Sequence, residues 1–324
     1  MAAAILILFI GMCESIARLD SLRAYLPPQS INSGNQQIDV KLAHLDALIH
    51  RKERLDCIFL GSSAVDRGFD PEVFQDAYKN RAGKEIVCFN FGIAGCAEPS
   101  AALLSQALIR KYRPTLLIVG TTPLMKDQMQ TRLVSNPWLR YWSGSFDFDG
   151  WLTEYSAAFR CYLGFRSLLK PAFLTNHWRL KSQVTANGYH PYENDTPDEK
   201  NLRPRRKTSP GTQDEPSGIP PETLNALTQI TQQRVQTRVL FVEMPMHPSS
   251  KFISGNRRED YEEALLMTQD ITQRLGAQFW RALPFHPVPD TGWKRRLHMN
   301  RIGAEAFSRW LGEKVGEAVS NGTL

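Results

Sequence analysis

Residues 57–71 read CIFLGSSAVDRGFDP. The run 57–60 is apolar and carries Ile58 and Phe59, then breaks at Gly61-Ser62-Ser63 and turns polar. This pattern predicts a short buried strand that ends in a turn and hands the chain to a helix. Ser63 then has two readings. It is a nucleophile presented on a strand-to-helix turn, or a loop serine that caps the helix after it.

The neighbouring segments repeat the rhythm. IDVKLAHLDALIHRKERLD (38–56) has apolar residues at helical spacing. Asp70-Pro71 supplies a cap and a first helical position for a helix ending near Gly83. EIVCFNFGIAG (85–95) reads as a second strand breaking at Gly92, EPSAALLSQALIRKYRP (98–114) as a helix, and TLLIVGTTP (115–123) as a third strand. After residue 221 the alternation resumes. A helix (222–236) leads to a strand (237–245), a helix (257–276) to a short strand (277–283), and an amphipathic helix (300–319) closes the chain. Strands alternating with helices at this spacing predict an α/β domain with a mainly parallel sheet over 38–318. Two insertions interrupt it. Residues 136–180 are rich in aromatics and partly helical in pattern. Residues 187–221 carry few apolar side chains and many prolines, glycines and charges, so a flexible segment is expected there.

Composition narrows the function classes. The chain has 324 residues, a formal net charge of +6 and 42% hydrophobic residues, enough for a sizeable core. The basic clusters are short, at 203–207 and 293–298, which argues against nucleic acid as a partner. Cys13, Cys57, Cys88, Cys96 and Cys161 show no metal or redox spacing, and Cys57 and Cys88 read as core residues. The histidines are scattered without ligand spacing, so neither a metal nor another cofactor is expected.

The N-terminus, MAAAILILFIGMCESIARLDSLRAYLPP, has an apolar stretch of about a dozen residues, short of the roughly 20 that span a bilayer. It also lacks a basic n-region. A membrane anchor over 1–26 whose beginning is missing, a short signal-like segment and a buried helix all compete. The anchor is preferred, because no later segment offers an amphipathic partner for so uniformly apolar a stretch.

In open parallel sheets, ligands lie beyond the carboxyl ends of the strands. The breaks at Gly61-Ser62-Ser63, Gly92, Gly120-Thr121-Thr122 and Met244-Pro245-Met246-His247 all fall there, and His298 follows a loop ahead of the last helix. Ser63 and His298 are therefore candidates for nucleophile and base. The N–H of Ser63 and that of Gly92, which has no side chain in the way, are candidate oxyanion donors.

With these residues in place, the chain resembles the SGNH/GDSL hydrolase superfamily. FLGSSAVDRGFDPEVF, NFGIAG, LLIVGTTP and HMNRIGAEAFSRWL occur in that family's order, with Ser62 in place of its Asp, Ser63 at the nucleophile, Gly92 at the second-block glycine and His298 at the C-terminal histidine. The resemblance covers about 1–125 and 235–318. It is strongest to the membrane-anchored bacterial branch of teichoic-acid D-alanylation and exopolysaccharide O-acetylation proteins, in which Gly-Ser-Ser recurs and an anchor precedes a Glu-X-X-X-Arg segment, here Glu14 to Arg18.

The resemblance implies a flavodoxin-like three-layer α/β/α sandwich. It also implies a serine esterase or O-acyltransferase of the cell envelope, anchored with its domain outside the cytoplasm. Its partners would be a cell-envelope glycan, an acyl donor, the membrane and a membrane-bound acyltransferase. Two positions depart from the pattern. Thr122 stands where the third block has an oxyanion Asn, and Arg295 stands where the triad Asp precedes the histidine by three. Asp290 and Glu243 are candidate substitutes for the acid. Arg295 and His247 are candidate substrate binders, and Trp138, Tyr141, Trp142 and Trp151 are candidates to stack on sugars. The departures also admit a second reading, a degenerate member that binds a glycan or membrane partner in polysaccharide assembly.

Overall fold

The computed structural model describes residues 1–19, 21, 29–169, 171–202, 219–255 and 257–324. Helix α1 (Ala2–Arg18) precedes α2 (Gln36–Lys52), and β1 (Cys57–Gly61) follows. The short α3 (Ser63–Gly68) and then α4 (Pro71–Ala82) lead to β2 (Cys88–Gly92), α5 (Glu98–Tyr112) and β3 (Leu116–Thr121). The aromatic-rich insertion forms α6 (Gln130–Val134), α7 (Pro137–Ser143), α8 (Phe148–Tyr155), α9 (Ala157–Leu168) and α10 (Pro171–Gln183). Next come α11 (Glu199–Leu202), α12 (Pro221–Gln232), β4 (Arg238–Glu243), α13 (Arg258–Arg274) and β5 (Gln278–Trp280). A hairpin of β6 (Trp293–Arg295) and β7 (His298–Met299) precedes the last helix, α14 (Arg301–Ser320). Among the described residues no helix is long and apolar enough to cross a membrane.

The five main strands form one parallel sheet in the order β2-β1-β3-β4-β5. Strand alternation divides the core in two. Ile58 and Leu60 of β1 join a cluster with α2, α5, α12 and α13, whereas Cys57 and Phe59 join one with α3, α4 and α14. Both faces are therefore covered by helices, which is why the strands read as continuous apolar runs, and the arrangement fits a three-layer α/β/α sandwich. On the second face Phe59 stacks on Phe69 at 4.6 Å and meets Phe74 edge-on at 4.9 Å.

Caps set the helix ends much as the sequence predicts. Asp70 accepts from the N–H of Glu72 and Val73 ahead of Pro71, and Gly83 closes α4 in the left-handed conformation. Asn300 caps α14 through Gly303. The polar insertion departs from expectation. Residues 187–202 are tied down at both ends, with Asn187 O accepting from Asn90 N and Asp198 N donating to Lys294 O. Between them, Asp195 accepts from Asn300 Nδ2 and Arg301 N. This strap covers the edge strand β2, whose open backbone groups outweigh the low apolar content of the segment. The rest of the expected flexible stretch, 203–218, lies outside the described residues.

The turn after β1 depends on Gly61. Its φ is 150°, and a Cβ there would lie 2.5 Å from Gly120 O and 2.6 Å from Val65 Cγ2. Gly61→Ala is expected to cost at least about 3 kcal/mol, the range of strained backbone and core overpacking, read by urea denaturation. Retention of wild-type stability would show that the turn is not built this way.

Candidate active site

Ser62 caps α3, accepting from Ala64 N with its hydroxyl, and Ser63 is the first helical residue. The cap and the residue in question are therefore adjacent: Ser62 does the capping, and Ser63 Oγ is left to face outward. It lies 2.9 Å from His298 Nε2, across 235 residues of chain. His298 is held from two sides. It pairs with Arg295 in the β6–β7 hairpin, and two residues later the buried Asn300 donates to Asp195 O and Thr291 O.

The far side of the imidazole is unlike a triad. His298 Nδ1 is buried and has no hydrogen-bond partner among the described residues. Burial lowers the affinity of the ring for a proton, Arg67 and Arg295 lower it further, Asp66 opposes them, and the pKa is pushed down to about 4. Neither candidate acid reaches the ring. Glu243 is fully buried and accepts from Tyr261 Oη, Ala282 N and Leu283 N, closing the loop after β5. Asp290 is exposed, and its charge acts on His247 instead. Arg295 is half exposed, with Nε 3.6 Å from Asp198 Oδ2.

The other sequence candidates divide in the same way. The N–H of Gly92 is taken by Asn90 Oδ1 at 2.8 Å, which corrects its assignment as a free oxyanion donor. Gly92 matters instead for space, since a Cβ there would meet Asp66 N at 2.3 Å. Thr122 is buried and lines a small recess with Ser62, Gly61 and Gly120, beyond the ends of β1 and β3. His247 Nδ1 accepts from Ser249 N, and its ring meets Trp293 edge-on at 5.8 Å, so it braces the hairpin. Trp138 is buried in the same core cluster as Ile58 and Leu60, Trp142 packs against that cluster, and both donate to Glu154; Trp151 is exposed.

Beneath Ser63 lies a charged network that the sequence reading missed. Lys41 and Asp66 are both buried and 2.6 Å apart. Asp66 Oδ2 is 3.0 Å from His190 Nδ1 and 3.6 Å from Arg67 Nε. Burial alone would raise the Asp66 carboxyl, but Lys41, His190 and Arg67 outweigh it and hold it down to about 2. Asn90 joins this network to α3. Its Nδ2 donates to Val65 O and Phe69 O, and its own carbonyl accepts from Lys41 Nζ. Arg67 donates to His190 O and Pro191 O and stacks 4.4 Å over Tyr192, whose ring lies 6.4 Å from that of His298. Two signals were available: a lone Asn inside the apolar CFNFG, and a lysine among the apolar residues of IDVKLAHL.

No family model matches the chain, and no curated protein is significantly similar to it.

Two outcomes follow from this geometry. Lys41→Met removes the nearest cation from the buried Asp66, leaving only His190 and Arg67 beside it, and is expected to cost up to about 3–5 kcal/mol in chemical denaturation; an unchanged midpoint would contradict the pairing. In ¹⁵N NMR, His298 is expected to titrate near pH 4. The neutral ring, the form able to accept a proton, is then present above that pH. Arg295→Gln removes one repelling charge and should move the midpoint upward; a midpoint near 6.5 in both proteins would contradict the electrostatic account.

Proposed function

We propose that the chain is an SGNH-type serine esterase or O-acyltransferase acting on a cell-envelope polysaccharide. The observation that carries this reading is the 2.9 Å contact between Ser63 Oγ and His298 Nε2 at the carboxyl end of a parallel sheet. The strand order β2-β1-β3-β4-β5 supports the finer fold, since it is the flavodoxin-like order. The glycan, the extracytoplasmic location and a membrane-bound acyltransferase partner rest on the sequence resemblance, which is analogy.

In this reading Ser63 Oγ attacks the carbonyl carbon of an acyl ester while its proton passes to His298 Nε2. The carbon–oxygen bond to the leaving alkoxide breaks, and that alkoxide takes the proton back. A sugar hydroxyl or water then attacks the acyl-enzyme and gives its proton to His298 Nε2; the bond from the acyl carbon to Ser63 Oγ breaks, and Oγ takes that proton back. The N–H of Ser63, at the open start of α3, and the Thr122 hydroxyl are the oxyanion donors available. Without a carboxylate on Nδ1 the imidazolium is unsupported, a loss worth about ten-thousandfold in the best-studied triad. The expected enzyme is therefore a slow Ser–His dyad.

One observation favours a second reading. The unpartnered Nδ1 beside Arg67 and Arg295 suits a non-catalytic cleft that binds a glycan or a membrane partner in polysaccharide assembly.

Fluorophosphonate labelling read by intact mass separates the two. Wild type is expected to be labelled, and Ser63→Ala and His298→Ala to lose the label. Arg295→Asp, which places a carboxylate opposite His298 in the hairpin, is expected to speed labelling at least about tenfold. Folded wild-type protein that gains no label above Ser63→Ala would favour the binding reading.

A further inference from the structure

Helix α1 has an unusual surface. Ile5, Leu6, Ile7, Leu8, Phe9 and Ile10 are each more than half exposed. At about 1.5 Å per residue this run is roughly 9 Å of apolar rod left uncovered by the other described residues. Its root, by contrast, is fastened. Glu14 Oε1 accepts from Ala157 N, and Oε2 accepts from Ala158 N and Ser156 Oγ. A side chain from α1 thus caps the start of α9. Arg18 completes the clamp, donating to Glu14 Oε1 and to Tyr155 O.

An exposed aromatic row starts at this clamp. Tyr155 lies 5.8 Å from Trp151, which stacks on Phe148 at 5.9 Å. On α9, Tyr162 and Phe165 are half exposed, and Arg166 lies 5.9 Å over the Tyr162 ring. Soluble surfaces scatter such residues singly; a row of them beside a bare apolar helix marks a contact face. Tryptophan, tyrosine and arginine at the foot of an apolar helix are the side chains that the headgroup layer of a bilayer accommodates, with an apolar body and a polar tip.

We propose that the α8–α9 ledge rests in the headgroup layer of a membrane while the apolar end of α1 enters the acyl chains. The occupant is lipid, because the ledge and α1 are held as one unit by the Glu14–Arg18 clamp, and the α1 surface has the composition that acyl chains match. The proposal shares the membrane-anchor reading and adds a second surface to it, one that fixes the distance of the Ser63 cleft from the bilayer.

The test uses the full chain with vesicles of mixed phosphatidylcholine and phosphatidylglycerol. Flotation reports α1, and Trp151 emission, obtained as the difference from Trp151→Phe, reports the ledge. Nitroxide lipids labelled at the headgroup are expected to quench Trp151 at least about twice as strongly as lipids labelled deep in the chain. The pair Phe148→Ser and Phe165→Ser, both on exposed positions, is expected to weaken vesicle partitioning about tenfold with unchanged circular dichroism. Flotation without quenching of Trp151 by either lipid would overturn the ledge and leave the anchor standing. Failure to float would overturn both. Protection of Trp151 that depends on protein concentration and not on lipid would assign the face to a second copy and overturn the proposal.

Discussion

The buried Lys41–Asp66 pair is the constraint on which the site rests. Helix α3 has only six residues, too few to be stable by its own hydrogen bonds, and it carries Ser63 at its first position. It stays in place because the protein binds it from outside. Asn90 takes the Val65 carbonyl of the helix and the Phe69 carbonyl just beyond it, Gly92 leaves room for its backbone, and Asp66 is drawn down between Lys41 and His190. The strap 187–202 belongs to the same construction, since His190 and Tyr192 both come from it.

The sheet was legible in the sequence because its strands are buried on both faces and stand out as apolar runs, three of which reach a glycine at or next to their ends. The proximity of Ser63 to His298 was legible in part: Ser63 follows the carboxyl end of β1, where chemistry in parallel sheets gathers, whereas His298 comes from the β6–β7 hairpin ahead of α14. The supports were not legible. Lys41 looks like an ordinary solvated residue of a helix until the edge strand beside it is known, and the strap looks disordered by composition because its contacts are polar and long-range. Asp290 and Glu243 failed as acids for reasons that only coordinates reveal, one being exposed and the other already satisfied by a loop and a tyrosine.

The electrostatics of the pair set its chemical character. A histidine whose pKa lies near 4 is neutral over the ordinary range and so always able to receive a proton, yet it holds that proton poorly. A triad acid reverses this by stabilising the imidazolium; here Arg67 and Arg295 act in the opposite sense. The site therefore combines a well-placed base with a costly charged state, so proton transfer through His298 is expected to be slow.

Trapping the intermediate shows directly whether Ser63 carries an acyl group. The full chain would be incubated with an activated acyl ester, and the acylated residue located by peptide mass mapping. The acyl group is expected on Ser63, discharged faster when a sugar hydroxyl is supplied. An acyl group found only on exposed lysines or cysteines, with Ser63 unmodified, would contradict the acyl-enzyme reading.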